Sequence, residues 1–375
     1  MNVLFIHNTI AEYRIPFFRG LNSRLNIDYL FTKLELGKQI YGTEIEKNIL
    51  DELNIKTMSK GIRKYLDLLK YVGSNKYEFI VIPPLDSFVD FIDVNVILFQ
   101  AKRKGKKLLY FGEKWEAPRE RQPILKRVKN FIQKCAFVVI LKRIDMCIAA
   151  GSKSKEYFES CGINRNKISV AIDASGVINK EIIYNIRERH NITDDAKIIL
   201  YYGRIIERKG LEILIKAWMK SSVGKNTYML VCGDGPFKSE CESLVKESKI
   251  KNIFFEGYVN PNNKYTFFSQ CNIFVLPSYF YKGIPEAWGL TVNEALQCGK
   301  PVIVTNAVGA AYDLVSEKNG KIIRENNIED LVDAIDELLS NNKYENMKKE
   351  CEKTYENFNY NNMINGFIEA IKKIE

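Results

Sequence analysis

Two series of short apolar runs, each alternating with helix-period segments, constrain this 375-residue chain more than any other feature. The first series predicts strands at residues 3–6, 27–31, 79–82, 107–111, 146–150 and 168–171. The second predicts strands at 198–202, 228–232, 253–255, 273–276 and 302–305, with helical patterns such as 211–220 and 331–339 between them. Alternation of this kind gives parallel sheets with helices on both faces. The expected class is α/β, with two Rossmann-like, doubly wound domains facing a cleft. A polar, turn-forming stretch at 173–195 separates the two series and marks the expected boundary.

Composition narrows the function classes. No apolar run approaches the roughly 20 residues that a membrane span needs. The start, "MNVLFIHNT", enters a strand pattern without a basic region or a small-residue cleavage site, so no secretory signal is expected. Eight cysteines occur with no CxxC pair, which reads as reduced core thiols in a cytoplasmic protein. Only His7 and His190 are histidines, which argues against a His-based metal site.

The strand ends of the second series carry the informative residues. In "YYGRIIERKGLEIL" a strand ends near Tyr202, Gly203 turns the chain, and a helix starts near Leu211. Arg204 and Lys209 therefore stand at the ligand edge of a parallel sheet. Two cations beside a helix start suit a diphosphate, and the alternative is that they are solvated loop charges. In "CGDGP", Gly233 and Gly235 either let backbone approach a ligand or make a tight strand-to-helix turn. "EGYV", with Tyr258 and Val259, and "LPSYF", with Pro277, end the next two strands. In "IPEAWGLTVNEAL" a helix is expected to start near Leu290 or Thr291, with Glu294 in its first turn and Glu286 in the loop before it. Each acid either accepts hydrogen bonds from ligand hydroxyls or only complements the helix dipole.

Taken in this order, the motifs resemble the donor-binding domain of retaining glycosyltransferases of family 4, which have the GT-B fold. The resemblance covers roughly residues 197–325 and includes the family's pair of acids with seven residues between them, here Glu286 and Glu294. It implies a nucleotide-diphosphate sugar as donor and transfer with retention to a glycan or lipid-linked acceptor, in surface polysaccharide or glycoconjugate biosynthesis. No cofactor and no metal are expected. Gly203, Arg204, Lys209, Gly233, Gly235, Tyr258, Val259, Pro277, Glu286, Ala287, Trp288, Gly289, Leu290, Thr291 and Glu294 would form the donor site. Arg204 and Lys209 would hold the diphosphate, Glu286 the donor sugar and Glu294 the ribose, with Glu286, Arg204 and Lys209 as the catalytic set. The other readings on the same fold are a non-catalytic nucleotide-sugar-binding module, an inverting enzyme and an epimerase.

The resemblance also implies a division into an acceptor domain at 1–180, a donor domain at 181–358 and a terminal helix at 359–375 that crosses back to the first domain. "AEYRIPFFRGL" resembles the start of a subgroup with a PYR-type loop, which brings in Tyr13 and Arg14. The chain departs from the family at "LLYFGEKWE", where many members carry a histidine. Glu113 and Lys114 are the candidates to replace it, and His7, beyond the first strand, is a further acceptor-side candidate.

The net charge is +10, and residues 119–143 contribute eight basic residues and one acid. Apolar positions 124, 125, 128, 131, 132, 135 and 136 recur there at helical spacing. A basic amphipathic helix suits an anionic membrane surface, so a peripheral place on the cytoplasmic face is one expectation. The other is an ordinary helix with its stripe in the core. Aromatics near residues 110–115 lack any nucleic-acid motif, so no nucleic-acid partner is expected.

Overall fold

The computed structural model describes residues 1–34, 47–56, 58–85, 87–222, 226–340 and 344–375. The sequence from 341 to 375 reads as helical and charged, and residues 341–343 of it lie outside the described ones. The chain divides into two compact units, one of residues 1–115, 124–176 and 360–375 and the other of 116–123 and 177–359. The chain therefore enters the second unit briefly at 116–123 before returning to it at 177.

The first unit is built on a seven-stranded sheet of β1 (Asn2–His7), β2 (Asn26–Phe31), β3 (Ile55–Lys56), β4 (Phe79–Ile82), β5 (Lys107–Gly112), β6 (Met146–Ala149) and β7 (Ile168–Val170). Their order is β3-β2-β1-β4-β5-β6-β7, and every neighbouring pair is parallel. The second unit holds β8 (Lys197–Tyr202), β9 (Thr227–Cys232), β10 (Ile253–Gly257), β11 (Ile273–Leu276), β12 (Val302–Thr305) and β13 (Gly320–Ile323). Their order is β10-β9-β8-β11-β12-β13, again all parallel. The α/β class and the two doubly wound sheets are thus as the alternation predicts. Six and five strands were expected, and among the described residues seven and six are present. β3 has two residues, and β13 opens "GK", so neither presents an apolar run.

All the strands of each sheet run the same way, so one edge gathers every carboxyl end. Each strand order reverses once, between β1 and β4 and between β8 and β11. In open parallel sheets the crevice for a ligand lies beyond the strand ends at such a reversal.

The cores explain why these segments hold. In the first unit the helices Ile15–Asn22 and Tyr360–Lys372 pack with Val3, Phe5, Tyr29 and Val81 in one apolar cluster. Phe367 is fully buried, with ring centroids 5.7 Å from Phe5, 6.0 Å from Phe17 and 6.1 Å from Phe111. In the second unit the helices Leu211–Lys220 and Ile328–Ser340 cover β8, β9 and β11. Six cysteines are buried, Cys298 is half-buried and Cys135 is exposed, so the reading of every cysteine as a core thiol fails at Cys135.

Replacing Phe367 by Ala should destabilise the first unit by about 3–5 kcal/mol, since three aromatic neighbours lose their partner and a cavity remains. Chemical denaturation checks it. A loss below about 1 kcal/mol would mean that the terminal helix is dispensable to this core.

Candidate functional site

The reversal between β8 and β11 is where the second unit concentrates polar chemistry. β8 is followed by Gly203–Lys209 and a helix at Leu211–Lys220, and β11 is followed by a loop to the helix Leu290–Gln297. One ion-pair group joins the two loops. Lys209 Nζ lies 2.9 Å and Arg208 Nη1 2.7 Å from the same oxygen of Glu286, Oε2. Glu286 itself is fixed by backbone: its N–H donates to Ala307 O at 2.9 Å, and its C=O accepts from Gly309 N–H at 3.1 Å. The carboxylate therefore leaves a short strand-like segment pinned to the loop after β12.

Burial alone would raise the Glu286 pKa, but Lys209 and then Arg208 outweigh it and hold the carboxyl below its ordinary range. Burial wins at Lys209, whose pKa falls below that of a free lysine although Glu286 opposes the fall. Arg208 was missed in the sequence, where only Arg204 and Lys209 stood out. Arg204 is exposed, on the same loop.

Gly289 has φ +103°, and a Cβ there would sit 2.9 Å from Val308 and 3.0 Å from Leu276, so only glycine allows the helix to begin at Leu290. That start puts Glu294 fifth in the helix, beyond the first turn where it was expected. Its carboxylate is largely buried and pairs with Lys264 at 2.6 Å. Lys264 opens the helix Lys264–Gln270 after β10 and was not singled out in the sequence. Trp288 is buried and its Nε1 donates to Asn293 Oδ1 at 2.9 Å, so its indole braces the helix start. Its carbonyl accepts from Ala310 N–H at 2.9 Å. Ala287 lies between these two pinned residues. Among the described residues, Thr291 Oγ1 and Ser278 Oγ are buried without a hydrogen-bond partner. Ser278 follows β11, as does Pro277, and Thr291 is the second residue of the helix Leu290–Gln297.

Gly233 and Gly235 are explained differently from the ligand-approach reading. A Cβ at Gly233 would lie 1.9 Å from Gly203 O, and one at Gly235 would lie 2.2 Å from Ile205 O. These glycines let the loop after β9 pack against the loop after β8. Tyr258 is exposed and Val259 half-buried at the end of β10.

In the first unit the β1–β4 reversal carries His7, the last residue of β1, and Arg14. The Arg14 guanidinium pairs with buried Asp173 and, through Nη2, with Glu113 Oε1 at 2.6 Å. Asp173 follows β7 and Glu113 follows β5, so three strand ends meet on one guanidinium. Asp173 carried no sequence signal beyond its place in the polar stretch. Burial, then the neighbouring Asp173, raises the Glu113 carboxyl to about 7 against the pull of Arg14. Burial lowers His7 to about 4, and its Nδ1 lies 2.9 Å from Thr9 O. Tyr13 is exposed, and its carbonyl accepts from Tyr360 Oη at 2.6 Å. Lys114 is not part of this group. Its ammonium stands over the rings of Phe137 at 5.3 Å and Tyr157 at 5.7 Å, where cation–π attraction holds it.

The basic amphipathic segment forms a helix at Ile124–Leu141. Only Phe137, Ile140 and Leu141 are buried in it. Leu125 is 87% exposed and Phe131 68%, and Ile124, Val128 and Ile132 are exposed beside them. The expectation of a stripe turned into the core fails for this N-terminal half. Among the described residues no helix is long and apolar enough to cross a membrane.

The Glu113 shift has a sign that can be measured. Between about pH 4.5 and 7 the folded state binds a proton at Glu113 that the unfolded state has lost, so this group makes stability fall as pH rises. His7 acts oppositely between about pH 4 and 6.5. Glu113→Gln should therefore gain stability relative to the parent as pH rises from about 5 to 8, read by thermal unfolding across that range. A pH-independent difference would contradict the shifted carboxyl.

Residues 183–357 match the family model of "Glycosyl transferases group 1". Among curated proteins the chain is 26% identical over 194 residues to an uncharacterized glycosyltransferase of Methanocaldococcus jannaschii, covering 50% of this chain and 48% of that protein. It is 27% identical over 199 residues to the O-antigen chain mannosyltransferase C of Escherichia coli, covering 48% and 51%. The chain thus spans about half the length of the curated relatives it matches first. Among solved structures it resembles Anabaena HepE in complex with UDP, with TM-score 0.77 and 14% identity over 99% of this chain and 100% of that one. It also resembles the lipopolysaccharide outer core galactosyltransferase WaaB, with TM-score 0.75 and 17% identity over 100% of both chains. The fold is that of the GT-B glycosyltransferases, and within it residues 183–357, a little under half of the chain, match the group 1 model.

Proposed function

We propose that the protein is a retaining glycosyltransferase of family 4, in the subgroup with a PYR-type loop. It moves a sugar from a nucleotide-diphosphate donor to a lipid-linked acceptor glycan in surface polysaccharide biosynthesis. The observation that carries this reading is the group of Arg208, Lys209 and Glu286 across the β8–β11 reversal, inside the segment that matches the family model. HepE, a relative in fold, is recorded with UDP and with UDP-glucose, which supports a nucleotide-sugar donor here.

In this reading the diphosphate lies against Arg204, Arg208, Lys209 and the free N–H groups that open the helix Leu290–Gln297. The bond from the sugar's anomeric carbon to the diphosphate oxygen breaks, and the acceptor hydroxyl oxygen bonds that carbon on the same face. The hydroxyl proton passes to the departing diphosphate, whose growing charge the cations stabilise. Glu286, held by its backbone and two cations, accepts hydrogen bonds from the donor sugar. Glu294 accepts from the ribose. Acceptor hydroxyls meet the Arg14–Glu113 pair, His7 and Tyr13. This chemistry uses no cofactor and no metal. The exposed apolar residues of Ile124–Leu141, with Lys126, Arg127 and Lys129 among them, rest on an anionic leaflet at the cytoplasmic face.

Lys209→Ala and Glu286→Ala should each lower kcat for sugar transfer by about 100-fold or more, with folding intact. A panel of nucleotide sugars with purified protein reads turnover, and NMR of the product anomer reads the stereochemistry. Full activity in both variants would sink the site assignment. An inverted anomer would favour the inverting reading, and tight donor binding without turnover the non-catalytic one.

Leu125→Asp with Phe131→Asp should abolish sedimentation with phosphatidylglycerol vesicles while leaving nucleotide binding intact. Unchanged vesicle binding would remove the membrane from the reading.

A further inference from the structure

Glu294 is not alone at the nucleoside end of this site. Lys264 Nζ is 2.6 Å from its Oε1, and both side chains are largely buried, 17% and 10% exposed. They come from different strand ends. Lys264 begins the helix after β10, and Glu294 lies in the helix after β11. These strands occupy separate positions in the sheet, with β9 and β8 between them. The pair therefore spans the carboxyl edge of the sheet. Tyr202, the last residue of β8, stands near the pair: burial and then the charge of Glu294 raise its phenol pKa.

A carboxylate only accepts hydrogen bonds and an ammonium only donates them. A sugar hydroxyl does both. We propose that Lys264 is a specificity-determining residue of the donor site, which with Glu294 reads a ribose hydroxyl as donor and acceptor at once. This rests on the nucleotide-sugar reading above and deepens it. Lys264 also compensates the Glu294 charge before any ligand arrives, so the carboxylate is not left buried and unpaired. A 2′- or 3′-deoxyribose satisfies at most half of this arrangement, and a site that hydrogen-bonds a hydroxyl discriminates against the analogue that lacks it.

The test is isothermal titration of the full chain with UDP, GDP and ADP, then with the 2′-deoxy and 3′-deoxy forms of the tightest binder. The parent protein should prefer the ribonucleotide over one deoxy form. Lys264→Ala should weaken ribonucleotide binding by roughly 10-fold to 100-fold, the range for one hydrogen bond to a charged group. It should also collapse the ribo-to-deoxy ratio towards that of Glu294→Gln. Lys264→Arg should recover much of the ratio, and thermal unfolding of all three variants separates folding from binding. In transfer assays the Lys264→Ala loss should fall on KM, with kcat kept within a few-fold, since the contact is the same in ground and transition states. Retention of the parent ratio in Lys264→Ala, while Glu294→Gln loses it, would overturn the inference and leave the donor reading standing. A parent protein that binds none of the three nucleotides would overturn both.

Discussion

The hold of Lys209 and Arg208 on Glu286 is the interaction on which the second unit's site depends. Glu286 Oε2 receives both cations, and its side chain is only 12% exposed. A carboxylate that buried cannot stay ionised without partners. The two cations belong to the loop after β8 and the carboxylate to the loop after β11, so the ion pairs close the sheet reversal from both sides. The charges do not cancel. Arg204, Arg208 and Lys209 stand against Glu286 and the exposed Glu207 of the same loop, which leaves one positive charge in surplus. An anionic ligand then meets charge already in place, and little reorganisation opposes its binding or departure.

The polar edge of the second sheet was legible in the sequence because a parallel sheet turns one-dimensional spacing into one edge. Each strand end that carried Gly, Pro or a charge lies there, and the places of Glu286, Lys209 and Gly289 at that edge needed no further information. What was missed depends on contacts that spacing does not encode. Lys264 precedes Glu294 by a full strand and helix, and only the order β10-β9-β8-β11 brings their loops to one edge. Arg208 lay beside two cations that looked equivalent to it, and the 3-10 turn Glu207–Lys209 decides which of them reach Glu286. The helix starts at Leu290, one of the two expected places, and Glu294 is its fifth residue, just past the first turn. The two added strands are short or interrupted by lysine, where the period-2 signal has nothing to repeat.

Periodicity also left the helix Ile124–Leu141 undecided. A stripe at helical spacing says which residues share a face and nothing about what covers it. The structure separates the two halves of that stripe. Phe137, Ile140 and Leu141 are buried, while residues 124–132 stay bare among lysines and an arginine. Exposed apolar residues grouped on one face mark an interaction surface more often than singly scattered ones do. An apolar face interleaved with cations has the chemistry of an interface with lipid headgroups, which offer hydrocarbon and anionic charge together.

The two sheet reversals also differ in sign, and the difference follows from how each pairs its carboxylates. In the second unit two cations share one carboxylate. In the first, one guanidinium serves two, Asp173 and Glu113, and His7 beside it is neutral at pH 7. With both acids ionised the first group carries a net negative charge in a buried place, and a proton at Glu113 relieves it. The first edge is thus rich in acceptors and poor in free positive charge. Such a surface suits neutral, hydroxyl-bearing ligands, while the second suits a diphosphate. Each reversal takes its charge balance from residues at strand ends that the β-α alternation had already fixed.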